Sequence, residues 1–318
     1  MKRPDNQERS AIVVTGALGH IGSRLIRELA SSTEGPIILI DNFSTQRYAS
    51  LFDLPTDGVY EFIQGDICDM NFDAVLKRAR VLVHLAARTD AESSVTQSEE
   101  VERVNAFGLR CVADACLAHG VPMLFPSTTS VYGTQAQRVD EQCAELQPQS
   151  PYAATKLSGE EYLRSLHTRG LRMVICRFGT IFGWSIGMRF HTAVNKFIWQ
   201  AAYGEPLTVW KTAWEQQRPY LDLSDAVRAI QHIIDTDMFD GETYNVVTRN
   251  FTVREVVEAI QQLIPNTQIT FVDSKIMNQL SYEVDSSKFE RMGFMPNGNL
   301  GRGIADTLTH LSGKYTAT

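Results

Sequence analysis

The sequence predicts an α/β fold: a doubly wound, mostly parallel sheet, followed by a smaller α/β lobe. Three observations predict it. Short runs rich in β-branched residues alternate with helically spaced apolar residues through the first half. The first of these runs leads directly into a turn with three glycines and then a helix. The ends of later strands carry small or hydroxylated side chains, where open parallel sheets bind ligands. With 318 residues the chain can bury a large core as one big domain or two modest ones. It is 43% hydrophobic and 21% charged, with a net charge of −7 and no basic block beyond Lys2-Arg3. That balance argues against nucleic acid or an anionic membrane as the main partner, while leaving room for a basic pocket around a phosphorylated small molecule. No apolar run approaches the ~18 residues of a membrane span, and Met1 to Ser10 lacks the apolar stretch of a signal peptide, so a cytoplasmic protein is expected. Five cysteines without a Cys-x-x-Cys pair predict neither a disulfide framework nor a metal site.

Ala11-Ile12-Val13-Val14 reads as a buried strand, and Leu25, Ile26 and Leu29 give the next segment helical spacing. Between them lie Gly16, Gly19 and Gly22. Glycine serves distinct ends in such a turn: it permits the tight bend, it lets a pyrophosphate approach the main-chain amides, and it lets the helix pack closely on the strand. The helix start then offers free amides and partial positive charge. The second strand, Pro36 to Ile40, ends in Asp41 about 20 residues after the glycines, where a carboxylate accepts from the adenosine ribose hydroxyls and repels a 2′-phosphate. This favours NAD over NADP; a solvated turn acid before Asn42 is the plainer reading. Arg47, suited to a 2′-phosphate, lies further into the loop.

Tyr48 to Leu54 suggests a short helix closed by Pro55, and Val59 to Ile63 alternates like a strand before Gly65-Asp66-Ile67. Asp66 either accepts from the adenine amino group or caps a helix over 70–78. Arg80 to Ala87 is a buried strand running into small residues, with His84 read as a hydrogen-bonded core histidine. Glu99 to His119 forms a long helix striped by Val101, Val104, Leu109, Val112 and Leu117; Asn105, amid these apolar residues, needs polar partners and is expected to tie a neighbouring loop. Val121 to Phe125 is a strand followed by four hydroxyls, Ser127-Thr128-Thr129-Ser130, either a site or a self-capping turn. Ser150-Pro151 opens a helix to about His167, with Tyr152 and Lys156 on one face. A phenol titrating near 10 is a poor base at neutral pH, and an adjacent ammonium together with a positively charged nicotinamide ring brings it into range. A surface pair is the alternative. Phe190 to Tyr203 reads as a helix and Pro206 to Trp210 as a strand.

Taken together, Gly16/Gly19/Gly22, Asp41, Gly65-Asp66-Ile67, His84-Leu85-Ala86-Ala87, Asn105, Ser127-Thr128 with Val131-Tyr132-Gly133, and Tyr152-x-x-x-Lys156 resemble the extended short-chain dehydrogenase/reductase superfamily, in its nucleotide-sugar epimerase/dehydratase branch. Arg177-Phe178-Gly179, Phe182-Gly183, Arg218-Pro219-Tyr220, Tyr244-Asn245 and Asp285-Ser286-Ser287-Lys288 extend the resemblance over nearly the whole chain. It implies a Rossmann-type NAD-binding domain over 1–178, with a return segment at about 219–247, and a substrate-binding domain from 179–218 and 248–318. By the same resemblance NAD is held by Gly16, Gly19, His20, Ile21, Gly22, Asp41, Asn42, Ser44, Asp66, Ile67, Leu85, Ala86, Ala87, Asn105, Tyr152, Lys156 and Phe178. Tyr152 is implied as catalytic base, Lys156 as the ribose-binding cation that lowers the tyrosine pKa, and Thr128 as the partner of the reacting oxygen. Ser127, Thr128, Thr129, Tyr152, Thr180, Asn195 and Arg218 are implied to face a nucleotide-sugar substrate, and a homodimer is implied through the helices over 99–119 and 152–167.

The sequence departs from the branch in places that bear on the reaction. Family dehydratases follow the catalytic threonine with an Asp-Glu pair; here Thr129-Ser130 stands there. That favours an epimerase of the UDP-glucose 4-epimerase type, the alternatives being an NAD-dependent reductase, dehydrogenase or dehydratase acting on a nucleotide-activated or other sugar, with a non-catalytic NAD-binding scaffold as the reading from another class. Thr180 replaces the family's asparagine, and the segment from Val272 to Val284 holds only Lys275 where an arginine is usual. Of Trp184, Trp199, Trp210 and Trp214, most are expected to pack in the core, and one is suited to stack on a base or sugar.

Overall fold

The computed structural model describes residues 9–91, 93–133, 135, 138–273 and 281–312; Lys2-Arg3 and Lys275 lie outside them. In chain order the strands are β1 (Ala11–Thr15), β2 (Ile37–Asp41), β3 (Tyr60–Gln64), β4 (Ala79–His84), β5 (Met123–Thr128), β6 (Met173–Phe178), β7 (Thr180–Phe182), β8 (Leu207–Trp210), β9 (Gln217–Asp222), β10 (Thr243–Val246), β11 (Arg249–Thr252) and β12 (Ile269–Val272). The helices are α1 (His20–Leu29), α2 (Asp73–Leu76), α3 (Ser98–Glu102), α4 (Leu109–His119), α5 (Pro151–His167), α6 (Ala193–Ala202), α7 (Leu223–Asp235), α8 (Val253–Leu263), α9 (Ser287–Arg291) and α10 (Leu300–Ser312).

Seven strands make one parallel sheet in the order β10-β6-β5-β4-β1-β2-β3. β1, inside the sheet between β4 and β2, is apolar on both faces, and Ala11 to Val14 are wholly inaccessible, as a strand covered from both sides requires. On one face Leu25 and Ile26 of α1 pack with Ile230 and Ile233 of α7; on the other Val112 of α4 packs with Leu163 of α5. The second lobe joins β7, β9 and β11 in a small sheet and pairs β8 with β12. Phe182, Phe197, Val256 and Ile304 fill its separate core.

Several elements differ from expectation. β9 stays with the second lobe, so what returns to the main sheet is α7 and β10. The helix expected over 70–78 is the single turn α2, and Asp66 does not cap it. The helix expected from Phe190 starts at Ala193. The long helix over 99–119 is interrupted by a π-helical segment, Arg103–Gly108, between α3 and α4. The wider turn carries Asn105, whose amide spans the loop after β4: Oδ1 accepts from Arg88 N at 2.8 Å, and Nδ2 donates to Arg88 O at 2.9 Å. Insertions of this kind recur where a helix must aim one side chain at a site.

Candidate active site

The glycine turn joins β1 to α1 at the carboxyl edge of the sheet. Gly16 has φ +65°, and a Cβ there would stand 2.5 Å from Ala86 N, so the turn presses on the chain leaving β4. A Cβ on Gly22 would stand 2.5 Å from Gly16 O, so α1 can lie against the turn only with glycine in that place. Asp41 closes β2, its carboxylate held by the Leu18 amide at 3.2 Å and the Phe43 amide at 2.9 Å. From Gly16, Gly19, His20, Ile21 and Gly22 a cleft of about 350 Å³ runs past Leu85 and Ala87 to Tyr152 and on into the second lobe. A glycine turn at a helix start, an acid at the next strand end and a long cleft between lobes suit an extended dinucleotide.

Ser150 caps α5 by accepting from Ala153 N at 3.2 Å, and Pro151 takes its first position. Tyr152 and Lys156 therefore share the face turned to the cleft. Burial raises the Tyr152 pKa, while the charge of Arg189 and a hydrogen bond with the Thr128 hydroxyl pull it down. Lys156 is 5% exposed, donates to Pro126 O at 2.7 Å and lies 4.4 Å from the centre of the Phe125 ring. Burial lowers its pKa to about 7, against the opposing charge of Glu160. In the protein alone the phenol therefore lies above its usual range, with the Arg189 charge opposing the effect of burial.

Glu160, wholly buried one further turn along α5, anchors this arrangement. Its carboxylate accepts from Arg177 Nε at 3.0 Å and Nη2 at 2.7 Å, from Arg164 Nη2 at 3.0 Å, and from Ser127 Oγ at 2.6 Å. Arg177 also lies over the Tyr132 ring. Ser127, expected to serve the substrate, therefore turns its hydroxyl to the interior although the residue lines the cleft.

Other expected site residues divide between wall and interior. Thr128, Phe178, Thr180 and Arg218 line the cleft with Tyr152 and Lys156, and Arg218 donates to Gln216 Oε1 at 3.1 Å. Thr129 does not: it is buried beside the Tyr282 hydroxyl at 3.4 Å, and Ser130 takes the wall position instead. Asn195 is fully buried, accepting from Gly183 N at 3.3 Å and donating to Arg189 O at 3.1 Å; the next residue, Lys196, faces the cleft. Asp66 is engaged by Cys68 N at 2.9 Å, Arg103 at 3.0 Å and Asn42 at 3.2 Å, which hold it at about 2 although burial opposes the charge. Asn42, Ser44, Asp66, Ile67, Ala86 and Asn105 lie around the strand ends and the α3–α4 break and are not among the residues lining the cleft. His84 is buried, bonded to Thr15 Oγ1 at 2.9 Å and held neutral by a pKa that burial lowers to about 3. Of the tryptophans only Trp210 lines the cleft; Trp184 stacks on His310 with ring centres 3.6 Å apart. Sequence reading missed Arg189 and Lys196, which carried no motif, and Glu160, which the i+4 spacing from Lys156 would have put on the same helix face.

A family model described as the NAD dependent epimerase/dehydratase family matches residues 12–246. The chain is 29% identical over 320 residues to a Bacillus subtilis (strain 168) protein named an uncharacterized UDP-glucose epimerase, YtcB, covering 96% of this chain and 98% of that protein. It is 28% identical over 323 residues to the dTDP-D-glucose 4,6-dehydratase of Mus musculus, covering 96% and 89%. Among solved structures it resembles MoeE5 in complex with UDP-glucose and NAD, with a TM-score of 0.82, 28% identity and coverage of 94% and 97%. Epimerases and dehydratases thus stand side by side among its relatives.

Proposed function

The chain belongs to the NAD-dependent epimerase/dehydratase family, and within it we propose a redox-neutral nucleotide-sugar epimerase that inverts C4. Its cofactor is NAD, which when bound supplies an acceptor for hydride and later the source that returns it. The glycine turn and Asp41 hold the dinucleotide. Lys156 holds the nicotinamide ribose. Tyr152 takes the proton of the sugar hydroxyl and gives it back, with Thr128 steadying the oxygen between those events. Arg218, whose planar fork suits paired phosphate oxygens, meets the nucleotide diphosphate from the second lobe.

The observation that carries this reading is the lack of a second acid beside Thr128. Expelling water from a sugar requires a proton donor for the departing hydroxyl. Hydroxyl side chains follow Thr128, and among the described residues the only carboxylate on the cleft wall is Asp90, which lies within the fields of Arg189 and His191. A homodimer through the outer faces of α4 and α5 completes the proposal; a monomer by light scattering would remove that part.

The test is a panel of nucleotide sugars incubated without added NAD and followed by NMR. One C4 epimer pair reaching the same equilibrium from either side is expected. A 4-keto-6-deoxy product would instead assign a dehydratase, and stoichiometric formation or loss of NADH would assign a net oxidoreductase.

A further inference from the structure

The loop between β7 and α6 is stitched onto the first turn of α1. His20 Nε2 donates to Gly183 O at 2.8 Å, Ser185 Oγ donates to His20 O at 2.8 Å, and Gly187 N donates to Ser23 Oγ at 3.0 Å. A Cβ on Gly187 would stand 2.4 Å from Leu18 O, so this strap of the second lobe lies directly on the glycine turn. Asn195 of α6 ties the start of the strap to its later part, accepting from Gly183 N and donating to Arg189 O.

The strap brings Arg189 toward Arg47, which comes from the loop after β2. Arg47 Nη1 lies 3.7 Å from where a Cβ on Gly19 would stand. Both arginines line the cleft, Arg189 feels the charge of Arg47, and both act on His20 and on His191. Arg189 donates from Nη1 to the Thr89 hydroxyl, and its buried Nε has no partner. Among the described residues neither arginine forms an ion pair; the acids whose charge they feel are Asp41 and Asp90. His20 and His191 are neutral near pH 7, since burial lowers them to about 3 and about 4, so the arginines carry the charge here. Two half-buried cations converging on the positive end of a helix repel one another unless an anion joins them.

We propose that Arg47 and Arg189, the second delivered by the strap, grip the dinucleotide pyrophosphate together with the amides of the glycine turn and retain the cofactor between turnovers. An arginine fork binds paired phosphate oxygens at two points. Because one arginine comes from each lobe, cofactor binding also ties the lobes together. The inference rests on the cofactor lying along the glycine turn, as proposed above, and not on which sugar reacts.

Calorimetry with ADP-ribose and with adenosine, on protein stripped of nucleotide, separates the pyrophosphate from the base and ribose. Arg47→Gln and Arg189→Gln are each expected to weaken ADP-ribose about tenfold to a hundredfold, to leave adenosine unchanged and to lower the NAD that copurifies. Added salt should weaken ADP-ribose binding more steeply for the unmodified protein than for the double variant. Circular dichroism checks the fold, and if Arg189→Gln does not fold, Arg47→Gln and the salt series decide. Variants that keep the full affinity and NAD content overturn the grip alone. A loss confined to NADP gives Arg47 a 2′-phosphate role and overturns it too. Unmodified protein that binds ADP-ribose no better than adenosine overturns the placement of the cofactor as well.

Discussion

Tyr152 is a phenol under opposed influences: burial raises its pKa, and Arg189 and Thr128 lower it. The protein alone therefore keeps it a weak acid, and in the proposed reaction the charge of the oxidised nicotinamide would complete its tuning. Tyr152→Phe should reduce turnover by about a hundredfold to ten-thousandfold while leaving the bound NAD content unchanged; a near-normal rate would remove Tyr152 from the chemistry. Lys156 makes a second, pH-dependent prediction. Its pKa falls from 10.5 to about 7 on folding, because burial penalises the ammonium. Between those values the unfolded chain binds a proton that the folded chain does not, so stability without ligand rises with pH across that window. Below pH 7 the penalty is fully present. Lys156→Met removes it, so the variant should melt above the unmodified protein at pH 6, with an advantage that shrinks toward pH 10. An advantage independent of pH would contradict this account of the lysine.

At the scale of the element, α5 presents Tyr152, Lys156 and Glu160 at successive turns of one face. The first two are readable from spacing alone, and so are the Ser150 cap and Pro151. The partners of Glu160 are not, because Arg177 and Ser127 come from β6 and β5 and meet it only when the sheet forms. The same limit explains Thr129 and Asn195. Their residue types suit a substrate, but the backbone around each turns the side chain into the interior. The π-helical segment at Arg103–Gly108 left no mark in the apolar stripe, since Val101, Val104, Leu109 and Val112 are buried before, within and after it. Glu160→Leu should cost about 3–5 kcal/mol in urea unfolding, since it strands the buried Arg177 charge. Adding Arg177→Leu should recover part of that loss, and two independent losses would show that the residues do not act as a pair.

For the molecule as a whole, strand and helix periodicity made the parallel sheet legible, and the glycines marked which edge of it faces the cleft. The assignment of β9 was not legible, because nothing local distinguishes the middle strand of a small sheet from a strand of the main sheet. Nor was the convergence of Arg47 and Arg189, which are far apart in sequence and belong to different lobes. The lobes meet over Tyr152, and the absence of a carboxylate next to Thr128 confines the proposed chemistry to one proton and one hydride at one carbon. The most direct measurement of that claim uses a nucleotide sugar labelled with deuterium at C4, incubated without added NAD. The account predicts that the label stays at C4 in the inverted product; its appearance at another carbon of the sugar, or its loss to free NAD, would contradict it.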